Sequence, residues 1–254
     1  MNRFFAAAFV GLALTALTLL GTPAHAVDLS TMTDAERRAF RAEVRAYLLE
    51  NPEVIIEAVN LLEQRKVEAK AQADVSLIAI NSKDIFDDGF SWVGGNPDGD
   101  ITLVEFLDYR CGYCRRAMPE VASLIENDGN IRLIVKELPI LGEDSMMLSR
   151  FAIATKNVAG GDAYKEVHDA LMAMGGEVND VVLRRIADGL GLDSNAILAQ
   201  MDSPGVTAEI AATQALAQRL QINGTPSFVL QDEMLRGYLP ARQMAAIVAE
   251  KRRK

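Results

Sequence analysis

The two cysteines of the sequence lie close together and define its most specific chemistry. Cys111 and Cys114 are separated by Gly112 and Tyr113, and the chain contains no other cysteine. This spacing lets the two sulfurs meet across one helical turn and form a short disulfide. The thiolate is the nucleophile in disulfide exchange, and unpaired N–H groups at a helix N-terminus stabilise it. We therefore predict that Cys111 is the exposed attacking thiol and that Cys114 is buried and resolves the mixed disulfide.

Two other roles for the cysteine pair remain open on the sequence alone. One is a structural disulfide, although a bridge across so few residues closes little loop and stabilises a fold weakly. The other is Cu(I) binding, because two thiolates suit Cu(I) better than zinc. A zinc site lacks ligands, since His25 and His168 are the only histidines. We assign no metal ligand, we interpret His168 as a helix-surface or packing residue, and we expect no cofactor besides the redox-active pair itself.

The composition limits the class of protein. The chain has 254 residues, of which 50% are hydrophobic and 24% are charged, so it is neither disordered nor fibrous. Its length suffices for about one to two domains with a sizeable core. The formal net charge of −9 argues against a basic nucleic-acid-binding surface. We therefore expect no nucleic-acid partner.

Residues 1–26 have the three parts of a secretory signal peptide. Arg3 provides the positive start, residues 4–20 are apolar and uncharged, and Ala24-His25-Ala26 is a small-x-small cleavage site. The apolar run is short for a membrane span, which needs about 20 residues. We predict cleavage after Ala26 and export to a bacterial periplasm, where disulfides persist.

Residues 27–82 are predicted to form an N-terminal helical arm. Thr33 and Glu36 make a capping box that opens one helix, and Pro52 opens a second. Both helices have an apolar stripe, whereas residues 63–74 are strongly charged. The stripes can pack on the following domain or on a second copy of the chain. The charged middle favours the second arrangement, a homo-oligomer formed through residues 27–82.

Residues 83–254 alternate strand and helix patterns around the cysteines. We predict strands over residues 86–93, 101–109 and 131–138, with a helix from the cysteines to about residue 127. Strand, helix and strand at this spacing form a βαβ unit. Residues 143–222 read as four or five helices, and residues 226–237 as a closing hairpin. A last helix begins at Pro240. The predicted fold class is α/β.

Two segments resemble a known family. Residues 104–114, Val-Glu-Phe-Leu-Asp-Tyr-Arg-Cys-Gly-Tyr-Cys, are similar to the active-site strand and elbow of DsbA-like thiol–disulfide oxidoreductases. Residues 222–228, Ile-Asn-Gly-Thr-Pro-Ser-Phe, resemble their loop before the closing hairpin. The resemblance implies a thioredoxin-like core with a helical insertion over about residues 143–222. With the arm added, the chain is most similar to the suppressor-of-copper-sensitivity C branch.

The resemblance implies roles for residues outside the cysteine pair. Thr225 and Pro226 match the family's cis-proline loop, which faces the reactive cysteine and pairs with an extended substrate segment. Gly112 and Tyr113, between the cysteines, are expected to contact substrate as well. Glu105 matches the family's buried acidic residue, and a carboxyl group in a buried strand has a raised pKa and can move the proton of Cys114.

The resemblance also implies an activity. The strongest oxidant of the family has Pro-His between its cysteines, whereas this chain has Gly112-Tyr113, so we expect a milder redox potential. We predict a periplasmic oxidoreductase that isomerises or reduces protein disulfides and is kept reduced by a membrane-embedded partner. One alternative is a monomeric dithiol oxidase that introduces disulfides. Another is a Cu(I)-binding copper-tolerance protein.

Overall fold

The computed structural model describes residues 31–253, so the predicted signal peptide and its cleavage site lie outside the described residues. The chain divides into two compact units that part between Leu61 and Leu62. Residues 62–82, which the sequence assigns to the arm, belong to the second unit. Within residues 31–253, no helix is both long enough and apolar enough to cross a membrane.

Two long helices come first in the described chain. Helix α1 spans Asp34–Glu50, and helix α2 spans Glu53–Ile80. The predicted capping box is confirmed, because the Thr33 side chain accepts from the Glu36 N–H while the Glu36 carboxylate accepts from the Thr33 N–H. No residue of α1 is buried. In α2 only Asp74 and Ile78 are buried, and both lie in the second unit.

The second unit is built on a five-stranded mixed sheet in the order β1-β3-β2-β4-β5. The strands are β1 (Trp92–Gly95), β2 (Ile101–Leu107), β3 (Ile131–Glu137), β4 (Ser227–Leu230) and β5 (Glu233–Arg236). Strands β2 and β3 are parallel and are joined by helix α4, Gly112–Asp128, which confirms the βαβ unit. Strand β4 pairs antiparallel with β2 and forms the predicted hairpin with β5.

Most of the remaining helices form the insertion between β3 and β4. They are α5 (Glu143–Ala173), α6 (Asp180–Gly189), α7 (Ser194–Gln200) and α8 (Pro204–Arg219). Gly160 interrupts α5 with a φ of 89°, a conformation that side chains other than glycine's rarely adopt. Four helices therefore fill the predicted insertion. Helix α3 (Ser82–Phe86) precedes the sheet, and α9 (Ala241–Lys251) ends the described chain.

The first strand differs from the prediction. We expected it over residues 86–93, but residues 82–86 form α3 and β1 begins only at Trp92. The Asp88 carboxylate explains the delay, because it accepts from the N–H groups of Phe90 and Ser91 and closes a turn there. Strand formation can begin only after that turn.

Each face of the sheet is covered by its own group of helices. Leu103 and Leu107 of β2 belong to the larger core cluster, which includes residues of α4, α5 and α9. Val104 and Phe106 alternate with them and join a smaller cluster with residues of α3 and α8. Strand β2 is thus buried on both faces, and the elbow that carries the cysteines follows directly from it.

Candidate active site

The elbow between β2 and α4 is held in place by Asp108. Its backbone carbonyl accepts from the Cys111 N–H at 3.0 Å. Its fully buried carboxylate accepts from the N–H groups of Arg110, Ile140 and Leu141 and from the Ser145 hydroxyl, at 2.8 to 3.1 Å. These bonds tie the elbow to the loop after β3 and to the start of α5. The position of Cys111 is therefore fixed by three parts of the chain.

Cys111 is the N-cap residue of α4, and Cys114 lies in the first turn. Both are free thiols. Cys114 is fully buried, as predicted, and burial raises the pKa of its thiol far above the usual range. The expectation of an exposed Cys111 is wrong, since only 7% of this residue is exposed. The loop at Thr225 covers its sulfur.

The predicted proline loop meets Cys111. The peptide bond between Thr225 and Pro226 is cis, and the Cys111 thiol donates to the Thr225 carbonyl at 3.1 Å. The loop is anchored by two hydrogen bonds. The Gly237 N–H donates to the Pro226 carbonyl, and the Ser227 hydroxyl donates to the Gly224 carbonyl. Over the part of the chain that is described, the Thr225 N–H has no hydrogen-bond acceptor. It is free to pair with another extended segment.

Glu105 lies in the middle of β2 and is 4% exposed. Burial, with a smaller contribution from the charge of Glu137, raises its pKa to about 8. The Glu105 charge in turn raises the pKa of Cys114, so the two groups interact. Glu105 lines a cavity of about 160 Å³ beneath α4, and its Oε1 atom has no hydrogen-bond partner among residues 31–253. The carboxyl group is thus placed to hold or release a proton near Cys114.

A second buried carboxylate, Glu137, lies on the neighbouring strand and was not predicted from the sequence. It accepts hydrogen bonds from the hydroxyl groups of Tyr109, Tyr164 and Ser149 at 2.6 to 2.8 Å. Burial nevertheless raises its pKa to about 7. The network joins the residues before the cysteines to the helical insertion.

His168 belongs to the same network. Its ring lies 3.2 Å from the Tyr109 hydroxyl, and burial lowers its pKa to about 4. The packing role that we predicted for His168 is confirmed, whereas the helix-surface position is not.

Exposed aromatic and cationic side chains lie beside the cysteines at the start of α4. Gly112 is exposed at the start of α4, and Tyr113 is 58% exposed. The Arg116 guanidinium lies 5.3 Å from the centre of the Tyr113 ring and 5.9 Å from that of Tyr238. Tyr238 follows β5 and was not predicted, because nothing in the local sequence connects it with a helix more than a hundred residues earlier.

Comparison with known protein families agrees with this fold and this pair of thiols. A family model described as DSBA-like thioredoxin domain matches residues 102–249, and the chain belongs to this family. A model described as Copper resistance protein ScsC N-terminal domain matches residues 36–69. The predicted resemblance to the suppressor-of-copper-sensitivity C branch is confirmed, as is a thioredoxin-like core with a helical insertion and preceding helices.

Several solved structures are similar to the chain. A thioredoxin-like oxidoreductase from Silicibacter pomeroyi DSS-3 is 44% identical, with a TM-score of 0.64, and the match covers 68% of this chain and 99% of that one. ScsC from Proteus mirabilis in a transitional conformation is 26% identical, with a TM-score of 0.63 over 86% and 98%. A periplasmic thioredoxin-like protein from Salmonella enterica serovar Typhimurium is 25% identical, with a TM-score of 0.58 over 68% and 95%.

The curated relatives are much longer proteins. The chain is 29% identical over 157 residues to Na(+)/H(+) antiporter NhaA 1 of Salinispora arenicola, and this match covers 61% of the chain. It is 28% identical over 162 residues to Na(+)/H(+) antiporter NhaA of Herminiimonas arsenicoxydans. The matches cover 24% and 25% of those proteins, so the chain spans about a quarter of their length.

Proposed function

We propose that the protein is a periplasmic thiol–disulfide oxidoreductase that acts on protein disulfides. One observation supports this function most strongly: the Cys111 sulfur lies at the start of α4, directly against the Thr225 carbonyl. A helix N-terminus stabilises a thiolate, and the free Thr225 N–H offers a backbone partner for an extended substrate. The predicted signal peptide and the similarity to a periplasmic thioredoxin-like protein support the location.

The proposed reaction consists of two exchange steps. The Cys111 thiolate attacks one sulfur of a substrate disulfide, which breaks that bond, forms a Cys111–substrate disulfide and releases the other substrate sulfur as a thiolate. The Cys114 thiolate then attacks the Cys111 sulfur and releases the substrate. The substrate gains two electrons, and the protein is left with a Cys111–Cys114 disulfide. In isomerisation the released substrate thiolate instead attacks another substrate disulfide and becomes part of a new one. The thiolate that this exchange releases then attacks the Cys111–substrate disulfide and frees the Cys111 thiolate, so the protein is left reduced.

Glu105 is proposed to handle the proton of Cys114. The thiol must lose its proton before it attacks, and burial makes that loss unfavourable. The ionised fraction of the Glu105 carboxyl group, whose pKa is about 8, can accept that proton and later return it. By accepting this proton, Glu105 would offset the effect of burial, which otherwise keeps the Cys114 thiol protonated.

Isomerase or reductase work is the direction that we favour. Tyr113 replaces the histidine that strengthens the thiolate in the strongest oxidant of the family, so the pair is proposed to have a milder potential. The exposed apolar faces of α1 and α2 support assembly through the arm, which would bring several dithiols to one substrate. A membrane-embedded reductase is proposed to return the Cys111–Cys114 disulfide to two thiols.

A refolding assay tests the proposed direction. The chain without residues 1–26, reduced beforehand, is mixed with scrambled ribonuclease A, and recovery of ribonuclease activity is followed. We expect recovery well above that of the Cys111→Ser variant, which lacks the attacking thiol. Rapid oxidation of reduced peptides without any recovery of the scrambled protein would instead support the dithiol oxidase.

Cu(I) binding is a second candidate function. It is favoured by the description of the family model that matches residues 36–69 and by the two thiols in one helical turn. Titration with Cu(I) in the presence of a competing chelator, with the Cys111→Ser and Cys114→Ser variants as controls, tests it. Tight binding that needs both thiols, without exchange activity, would favour copper handling over the oxidoreductase.

A further inference from the structure

A groove lies beside the loop of Thr225 and Pro226. Its volume is about 290 Å³, and its lining includes Thr225 and Pro226 together with Lys70 of α2 and Arg236 of β5. The Thr225 carbonyl in this lining is the group that accepts from the Cys111 thiol. A substrate segment that pairs with Thr225 would therefore extend into the groove. Each further residue of an extended chain adds about 3.3 Å, so the residues next to the paired one reach the other lining side chains.

The side chains that line this groove are basic or neutral. Asp232 and Glu233, which share a neighbouring cavity with the two basic side chains, pair with Lys251. The chain has a formal net charge of −9, yet no acidic residue of the described chain lines the groove. Arg236 is fixed by Asp74, whose carboxylate accepts two of its N–H groups at 2.5 and 2.9 Å. Asp74 is buried and its charge is balanced by that of Arg236, so the pair is close to neutral toward a ligand.

Lys70 provides the uncompensated charge. It lies one helical turn before Asp74 and is exposed, and within residues 31–253 its ammonium group has no carboxylate within salt-bridge distance. The neighbouring Lys66, by contrast, pairs with Glu63 at 2.8 Å. A flexible, unpaired ammonium group at the rim of a substrate groove can bind a carboxylate at the cost of only its own side-chain freedom.

We infer that this groove selects substrate segments with acidic side chains next to the reacting cysteine, with Lys70 as the specificity-determining residue and Arg236 as a fixed second donor. The inference rests on the proposed function, because it concerns the substrate of the same dithiol. It adds the chemical class of the segment, an extended acidic peptide, and it gives the end of α2 a part in substrate binding.

The test uses two disulfide-linked peptide homodimers that differ only in charge. One peptide has Glu on both sides of its cysteine, and the other has Gln at the same positions. The reduced protein is mixed with each dimer, and the rate of release of free peptide is measured by acid quench and chromatography. We expect the Glu dimer to react faster, and the ratio of the two rates to fall as the salt concentration rises.

Variants of α2 isolate the contribution of Lys70. In the Lys70→Gln variant the preference for the Glu dimer should fall about two- to fivefold, the range expected for one exposed charge pair. In Lys70→Glu the preference should fall further, and the matched control Lys66→Gln should keep the ratio of the unaltered protein. Because Lys70 is exposed and unpaired, its replacement leaves the fold intact.

The outcomes separate this inference from the proposed function. Equal rates for the two dimers, or a preference that is the same in Lys70→Gln as in the unaltered protein, would overturn the acidic-peptide inference while leaving the exchange activity in place. Failure of the protein to reduce either dimer would overturn the proposed function, and the inference with it.

Discussion

At the scale of single residues, the site combines one protected thiol with one that is nearly covered. Cys114 has no exposed surface, and only the edge of Cys111 reaches the solvent. A substrate must therefore approach along the loop at Thr225, whose carbonyl contacts the Cys111 sulfur. This arrangement favours extended segments that lie against the loop over compact surfaces, because an extended segment can use the free Thr225 N–H.

Glu105 gives a prediction for stability that depends on pH. Its pKa is about 8 in the folded protein and near the ordinary value of about 4.3 in the unfolded chain. Between these values the folded state holds a proton that the unfolded state releases, so the free energy of unfolding falls as the pH rises. Glu105→Gln removes this pH-dependent loss. The difference in the free energy of unfolding between the variant and the unaltered protein should therefore be about 2–4 kcal/mol more favourable to the variant at pH 8 than at pH 5. Urea denaturation at both pH values measures the difference.

The control for this prediction is Glu126→Gln, since Glu126 lines the same cavity but is exposed. Its effect on the free energy of unfolding should be small and equal at both pH values. A Glu105→Gln effect that does not change between pH 5 and pH 8 would mean that Glu105 is ionised in the folded protein. That result would remove the physical basis for its proposed role in proton transfer.

The sequence predicted some of these residues better than others. The cysteine pair and its place at a strand-to-helix elbow follow from spacing and local pattern, and Thr225, Pro226 and Glu105 follow from the family resemblance. Glu137 and Lys70 do not, because the hydroxyl groups that bind Glu137 and the loop whose groove Lys70 lines come from other parts of the chain. Arg236, which shares the groove with Lys70, is tied to α2 by a bond to Asp74 that spans 162 residues. A single sequence has no signal for contacts of that kind.

At the scale of elements, the features that depend on local sequence were predicted correctly, whereas those that depend on long-range contacts were not. The capping box of α1, the βαβ unit and the closing hairpin were predicted correctly, since each depends on residues that are neighbours in sequence. The first strand was predicted to begin too early in the chain. The side-chain bonds by which Asp88 closes a turn before Trp92 cannot be read from the residue types alone. Bonds that cross between elements, such as those of Asp108, were not predicted.

The arm leads to a prediction about assembly. Ile55, Val59 and Leu62 follow one another at helical spacing on α2, and each is about half exposed. An apolar stripe of this kind is expected to be covered by a second copy of the chain. Replacing Val59 with Lys would place a charge in that contact, and we expect it to convert the oligomer into a monomer in light scattering of the mature protein.

Gln64→Lys provides the matched control, because Gln64 lies on the opposite side of the same helix and is exposed. This variant should keep the mass of the unaltered protein. A monomeric mass for the unaltered protein would contradict assembly through the arm and would favour the monomeric oxidase. An oligomer that persists with Lys at position 59 would place the contact elsewhere.

At the scale of the whole molecule, a rigid sheet positions one dithiol, and the surrounding elements supply what its chemistry needs. Strand β2 places Glu105 beneath α4, the β4–β5 hairpin anchors the loop that covers Cys111, and the end of α2 adds a positive charge to the adjoining groove. In the proposed reaction these features let Cys111 attack the substrate and Cys114 resolve the mixed disulfide.

Trapping of the mixed disulfide distinguishes the roles of the two thiols. The Cys114→Ser and Cys111→Ser variants are mixed separately with a disulfide-linked peptide homodimer, quenched with acid and analysed by intact mass and peptide mapping. We expect Cys114→Ser to accumulate a peptide adduct on Cys111. We expect Cys111→Ser to react at least about a hundredfold more slowly, because its remaining thiol is buried and the pKa of that thiol is raised. Equal reactivity of the two variants, or an adduct that forms faster on Cys114, would contradict these roles.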